Sequence, residues 1–283
     1  MENATYIVNG LSEFLLPKQE NKAGTVRVIK PGHNAGIFSY IWVILQSIYE
    51  HPDEKYYVDM RKFSGYYDQT ITKTNNVWEY YFEQPDNIYE YPKSEDIIDV
   101  GCWNNHVSGY CDLSSVTEEK RQRYNGIIKK YIRLLPHLQE KVDTFLKTTD
   151  FLSKNVLGVH CRGTDSYLKN SIDLYLSEID LIEKDYDTIF LMSDDVDYFD
   201  AVKNKYKNKV VSYDGATRAK GSASVFENAQ KPYQLGEGVI VESYIISNVK
   251  FLLHPRSNVT YFSRFLNLDL KWLNIDMKHG NVS

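Results

Sequence analysis

From residue 155 onward, apolar and polar positions fall into blocks that read as strand, loop and helix in turn. The run Asn-Val-Leu-Gly-Val-His over 155–160 is short and almost continuously apolar, as a strand buried on both faces would be. After a polar stretch, Ile172, Leu176, Ile179 and Ile182 recur at the spacing of one helical face. A second buried strand is predicted over 188–192, a helix over 196–206 and a third strand over 209–213. A long polar segment with Gly and Ser occupies 214–237. It leads to a helix near 238–247, a strand over 250–253 and a helix over 259–266. Strands separated by helices of this length imply an α/β architecture built on a parallel, doubly wound sheet.

The first half is less periodic. A strand is predicted over 25–30, a Gly-bearing loop over 31–36, a largely buried helix over 37–49 and a strand over 55–59. Residues 63–110 are crowded with Tyr, Trp, Asn and Gly and read as loop-rich. A helix starting at Thr117 would carry Tyr124, Ile127, Ile128, Tyr131 and Leu135 on one face. Two domains are expected, 1–150 and 151–266, with 267–283 returning to the first. No internal repeat or low-complexity tract interrupts them.

The chain has 283 residues, 42% of them hydrophobic and 25% charged, which is the composition of an ordinary folded protein. Its net charge of -5 speaks against nonspecific nucleic-acid binding, which needs a basic footprint to displace counterions. The three cysteines, Cys102, Cys111 and Cys161, show no CxxC spacing, so neither a disulfide framework nor a zinc site is expected. The first residues, MENATYIVNGLSEF, lack the basic start and apolar core of a signal peptide, and no apolar run approaches membrane-spanning length. A cytoplasmic protein is the expectation, so the acceptor patterns at Asn3, Asn258 and Asn281 read as chance glycosylation matches.

Ligands of a doubly wound sheet sit beyond the carboxyl ends of its strands. Three polar clusters fall there: His160-Cys-Arg162-Gly-Thr-Asp165, Ser193-Asp194-Asp195, and His254-Pro-Arg256-Ser257-Asn258. An arginine at a strand end suits a phosphate, because guanidinium is always charged and donates in a fixed fork. Ser and Asn opening a helix add donors at its positive end. Each cluster also has a structural reading: Ser193-Asp194 as a helix cap, Arg162 as a partner of Asp165.

The stretch Gly158-Val-His-Cys-Arg-Gly-Thr-Asp165 resembles the H-x-R-x-x-D signature of the GDP-fucose-dependent fucosyltransferases. Phe190-Leu-Met-Ser-Asp-Asp195 is similar to that family's second motif, and Gly236–Glu242 with Phe251–Asn258 to its third region. The likeness covers roughly 155–266; in the first half only Gly32-His-Asn-Ala-Gly36 resembles the family's glycine-bearing loop. Gly163 departs from the α1,6- and chitooligosaccharide-specific branches, which carry a second basic residue there.

The resemblance implies a GT-B fold of two Rossmann-like domains, the acceptor held by the first and the nucleotide sugar by the second. It implies inverting, metal-independent transfer of fucose from GDP-fucose to a glycan hydroxyl, with no cofactor besides that donor. Arg162 would hold the β-phosphate and His160 would lie beside the nucleotide. Asp194 or Asp195 would line the donor pocket, Glu242 would read the guanine edge, and Ser257 and Asn258 would bind the diphosphate. Glu242 stands where the family usually has Asp; Glu237 is next in line for its role. The general base is open between Asp165, Asp173, Glu79 and Glu83, since Asp165 equally suits orienting Arg162. Acceptor contacts are assigned to His33, Asn34, Trp78 and Tyr80, with a packed aromatic cluster as the competing reading of the last two.

Other chemistries fit less well. His33, His160 and His254 have no metal-ligand spacing, and the adjacent Asp194-Asp195 pair is not a DxD triad. The G-x-G-x-x-G of a Rossmann dehydrogenase is missing after the first strand. A GT-B transferase using GDP-mannose or a UDP-sugar, and a non-catalytic nucleotide-sugar or glycan-binding protein, stand as alternatives.

Overall fold

The computed structural model describes residues 25–30, 36–61, 65–93, 97–101, 116–164, 169–220, 224–228 and 231–279. Two parallel sheets organise them. Strands β1 (Val26–Lys30), β2 (Lys55–Val58) and β3 (Ile97–Gly101) form the first, in the order β2-β1-β3. The second contains β4 (Val156–Cys161), β5 (Thr188–Ser193), β6 (Val210–Val211), β7 (Phe251–His254) and β8 (Lys271–Asn274), in the order β6-β5-β4-β7-β8.

Every residue of β4 and β5 is buried, because helices cover both faces of the sheet at its centre. Successive side chains alternate between the two sides. Leu157, Val159, Ile189 and Leu191 pack under α4 (Ile172–Ile182) and α5 (Val196–Tyr206), against Tyr175, Ile179 and Val202. Val156, Phe190, Met192 and Leu252 face the other way, into a large core shared with the first half of the chain. That core takes α1 (Ile37–Glu50), α2 (Glu118–Tyr131), α3 (Pro136–Thr148), α7 (Pro232–Ile246) and α8 (Asn258–Leu266). There α1 packs on α2 and α8, and α3 on α7. Two one-turn helices, α6 (Val225–Asn228) and α9 (Ile275–Lys278), complete the set.

The strands and helices expected after residue 155 are present, as is the doubly wound sheet, although α6 and the first turns of α7 fall within the stretch 214–237 read as polar loop. Three expectations need correction. Helix α2 stops at Tyr131, and Leu135 is the N-cap of a new helix, because Pro136 bars helical geometry at the residue before it yet suits the first helical turn. The loop-rich stretch 63–110 contains β3, which pairs with β1 through Val26↔Ile97 to Lys30↔Gly101. Over the described part of 267–283 the chain touches the first half where Arg121 Nη2 of α2 donates to the Leu268 carbonyl at 2.8 Å, but it adds no helix there. Lys271–Asn274 instead extends the second sheet beside β7, and Asn274 caps α9. No described helix is long and apolar enough to cross a membrane.

Candidate active site

The strand order locates the site. From β4 the chain winds outward through β5 and β6, whereas β7 and β8 lie on its other side, so the direction of winding reverses between β4 and β7. The loops leaving those two strands part to opposite sides of the sheet and open a crevice. Register brings His160 level with Met192, Cys161 with Ser193, and His254 with Asn274. The polar clusters after β4, β5 and β7 therefore meet at one sheet end. The cleft there measures about 340 Å³ and is closed on its far side by Gly36–Ser39 and Tyr66 of the first half.

Arg162 lines this cleft, and its Nη1 donates to Asp194. The same carboxylate accepts from Gly163 N at 2.8 Å and Thr164 Oγ1 at 2.9 Å, so Asp194 organises the whole turn after β4. Gly163 is required by that closeness: a Cβ there would stand 2.5 Å from Asp195 Cβ. The steric limit explains why the second basic residue of the α1,6 branches has no room in this chain. Asp195 itself is not a pocket residue. It is buried as the N-cap of α5, accepting from Asp197 N at 2.8 Å and Tyr198 N at 3.4 Å. Asp194 and Asp195 have thus separated their roles, one to the cleft and one to the helix.

Across the switch point, Ser257 caps α8 by accepting from Val259 N at 3.3 Å, and it lines the cleft. Asn258 also borders it, but its Nδ2 donates to Ser39 Oγ at 3.0 Å and its carbonyl accepts from Trp42 Nε1 at 3.1 Å. Asn258 therefore ties α1 to the start of α8. Arg256 lies beside them in the cleft wall, its backbone N–H held by Asp276. Its guanidinium makes no hydrogen bond or ion pair with any described residue. A cation facing a cleft with no acid beside it is suited to an anion.

His160 is buried in the cleft floor; burial, with Arg162 nearby, pushes its pKa down to about 3, so the ring is neutral. Its Nδ1 is buried without a hydrogen-bond partner among the described residues. Glu242, on α7, is 3% exposed and borders the same cleft. Desolvation raises its pKa to about 8, opposed by Arg218 and reinforced by Asp194. Sequence reasoning missed Ser39 and Tyr66, which line the cleft, and Arg218, which contacts Glu242; Arg256 was read only as part of the polar cluster after β7. The signal at Arg256 is legible, since it follows β7 by two residues, whereas Arg218 lies seven residues beyond β6.

The remaining expectations divide. Trp78 and Tyr80 belong to the core of the first half: Trp78 is fully buried, stacks on Phe82 and donates from Nε1 to the Glu83 carbonyl at 3.0 Å. The Tyr80 hydroxyl donates to the Asp68 carbonyl at 3.4 Å. Neither ring offers a free face to an acceptor; the packed cluster is what the structure has. As for general bases, Glu79 accepts from Thr74, Asn76 and Gln84, Glu83 pairs with Arg133, and Asp173 sits in the exposed first turn of α4. None of the three lines the cleft. Asp165, His33 and Asn34 lie outside the described residues. Among the described residues no group of three or more His, Cys, Asp or Glu is arranged to hold a metal ion.

No family model and no curated protein matches the chain. Solved structures do match. The fucosyltransferase NodZ from Bradyrhizobium superposes with a TM-score of 0.52 at 13% identity, over 86% of this chain and 93% of that one. NodZ α-1,6-fucosyltransferase co-crystallised with GDP gives 0.53 at 14% identity over the same shares. FUT1 of Arabidopsis thaliana, as a mutant in complex with GDP, gives 0.51 at 12%, over 88% of this chain and 70% of that one. At such identities the likeness is one of architecture: the chain has the GT-B-type α/β fold in which these fucosyltransferases are built.

Proposed function

We propose that the protein is an inverting, metal-independent glycosyltransferase that moves fucose from GDP-fucose to a hydroxyl of a glycan acceptor. The observation that carries this reading is the pair of arginines, Arg162 and Arg256, facing one cleft from the two sides of the switch point. The NodZ and FUT1 structures named above were obtained with GDP, which supports a guanine nucleotide here.

The chemistry follows from the charges. As the acceptor oxygen attacks the anomeric carbon, the bond from that carbon to the β-phosphate oxygen breaks and its electron pair leaves with GDP. Charge grows on the diphosphate, and preorganised donors aimed at it lower the barrier because they are in place before the charge appears. Arg162, anchored by Asp194, and Arg256, with no acid paired to it among the described residues, are the donors for this task. The start of α8, capped by Ser257, adds its positive end. At the other end of the nucleotide Glu242 accepts from guanine N1–H and N2–H₂. Asp165 follows the turn that Asp194 organises and is assigned the acceptor's proton. A single displacement inverts the anomeric centre.

The test is incubation with GDP-fucose and a panel of glycan acceptors, reading GDP release and the product's anomeric configuration by NMR. Fucose transfer with inversion, undiminished by EDTA, is expected. Retention, or a strict requirement for Mn²⁺ or Mg²⁺, would contradict the reading. Transfer from UDP-sugars in preference to GDP-fucose would do so too.

A further inference from the structure

The one carboxylate assigned to the base has a single described partner, and that partner is not among the residues the sequence motifs contain. Arg218 Nη2 reaches Glu242 Oε1 at 3.4 Å, and Nη1 donates to the Ala216 carbonyl at 3.2 Å. The guanidinium carbon sits over the Phe199 ring of α5, 3.9 Å from its centre. We propose that Arg218 is a positioning residue of the nucleotide site: it steadies Glu242 as the acceptor for the guanine edge and so sets the selectivity for guanine. The inference rests on the reading of Glu242 as the base-contacting carboxylate.

Three anchors fix Arg218. The loop after β6 crosses α7 at Gly238, where a Cβ would come within 2.7 Å of the Gly215 carbonyl oxygen, so loop and helix touch backbone to backbone. One residue beyond Arg218, Ala219 N donates to Asp194 O at 2.8 Å and Ala219 O accepts from Val196 N at 2.9 Å. Stacking on Phe199 completes the hold. A guanidinium confined in this way loses little freedom on meeting a carboxylate. The contact is end-on, through one nitrogen and one oxygen, and Glu242 Oε2 has no hydrogen-bond partner among the described residues. One oxygen is thus held by the protein and the other is left for the ligand.

Guanine offers donors at N1 and N2, whereas adenine offers an acceptor at N1, so only an ionised carboxylate separates the two strongly. The surroundings of Glu242 are otherwise unfavourable to charge. It is buried, and Asp194 at the end of β5 repels it. Tyr213, on the loop itself, is a neutral phenol whose pKa burial raises to about 12, with Glu237 and Glu242 adding to it. His160 of β4 is neutral, and Arg162 is engaged by Asp194. Among the described residues Arg218 is the cation that opposes burial at this carboxyl. Removing an adjacent cation shifts a carboxyl by roughly one to three pH units.

The experiment measures GDP and ADP affinity by calorimetry between pH 6.5 and 9 for the wild type, Arg218→Gln, Arg218→Lys and Glu242→Gln. The ratio of the two affinities cancels the ionisation of the shared diphosphate. In the wild type the ratio should rise with pH as Glu242 loses its proton. In Arg218→Gln the rise should move upward by about one unit or more, leaving the ratio near neutrality lower by about tenfold. Arg218→Lys keeps the charge without the fork, so it should hold the pH midpoint and lose only part of the ratio. It also preserves the test should the glutamine variant fail to fold. Glu242→Gln should flatten the profile. An unchanged ratio and midpoint in folded Arg218→Gln, or a midpoint moved as far by lysine as by glutamine, overturns the inference and leaves the nucleotide reading standing. A wild type that never prefers GDP to ADP defeats the nucleotide reading itself.

Discussion

Replacing Arg162 by alanine separates a catalytic arginine from a structural one. Its Nη1 holds Asp194, and about a third of the side chain remains exposed toward the cleft. Loss of one preorganised donor to a developing anion costs about 3–4 kcal/mol at the transition state, so turnover should fall roughly a hundredfold to a thousandfold. The fold should change little. Asp194 keeps its hydrogen bonds from Gly163 N at 2.8 Å and Thr164 Oγ1 at 2.9 Å, so its carboxylate is not left bare. The ion pair is partly open to solvent, which limits its contribution to about 1 kcal/mol, a few degrees in Tm. Lysine should recover part of the activity, because a point charge does not reproduce the fork. Initial rates of GDP release from GDP-fucose with acceptor present, read beside thermal unfolding, check both halves. Near-normal turnover in folded Arg162→Ala, or collapse of the fold with loss of activity, would refute the assignment.

Other outcomes follow from particular contacts. Gly163→Arg should not create an α1,6-type double-arginine site; its Cβ has no room beside Asp195, and overpacking there should cost about 1–3 kcal/mol, read as a lower Tm. Trp78→Ala should lower stability by about 3–5 kcal/mol through an emptied core position, and acceptor KM in the protein that still folds should not change. Arg256→Ala should weaken GDP more than guanosine, as calorimetry with both ligands would register, because the side chain is assigned to the phosphates and not to the base.

The parallel sheet of the second half was legible because β4, β5 and β7 are buried apolar runs, each ending in a polar cluster, and helices between strands leave little choice of topology. The cleft was legible for the same reason. What lay beyond reach depended on contacts between distant segments. Asp194 and Asp195 are neighbours in sequence, and only the backbone at the end of β5 decides that one meets Arg162 and the other caps α5. Trp78 and Tyr80 carry the composition of a sugar platform, yet packing against Phe82 and the Asp68 carbonyl turns them inward. β3 was hidden in a polar, Tyr-rich stretch, and β8 in a segment expected to return to the first half. Arg218 carried no motif, since its meaning comes from the crossing of its loop over α7.

We propose that this cleft binds a guanosine diphosphate through Arg162, Arg256 and the buried carboxylate of Glu242. Thermal unfolding with GDP, GDP-fucose, UDP, ADP and CDP tests it most directly. A ligand at a hundred times its Kd that binds only the folded chain adds about 2.7 kcal/mol, or roughly 5–10 °C for a protein of this size. GDP and GDP-fucose should raise Tm by that amount, the others should barely move it, and Glu242→Gln should remove most of the GDP effect. Equal shifts with UDP or ADP, or an undiminished GDP shift in Glu242→Gln, would contradict the account.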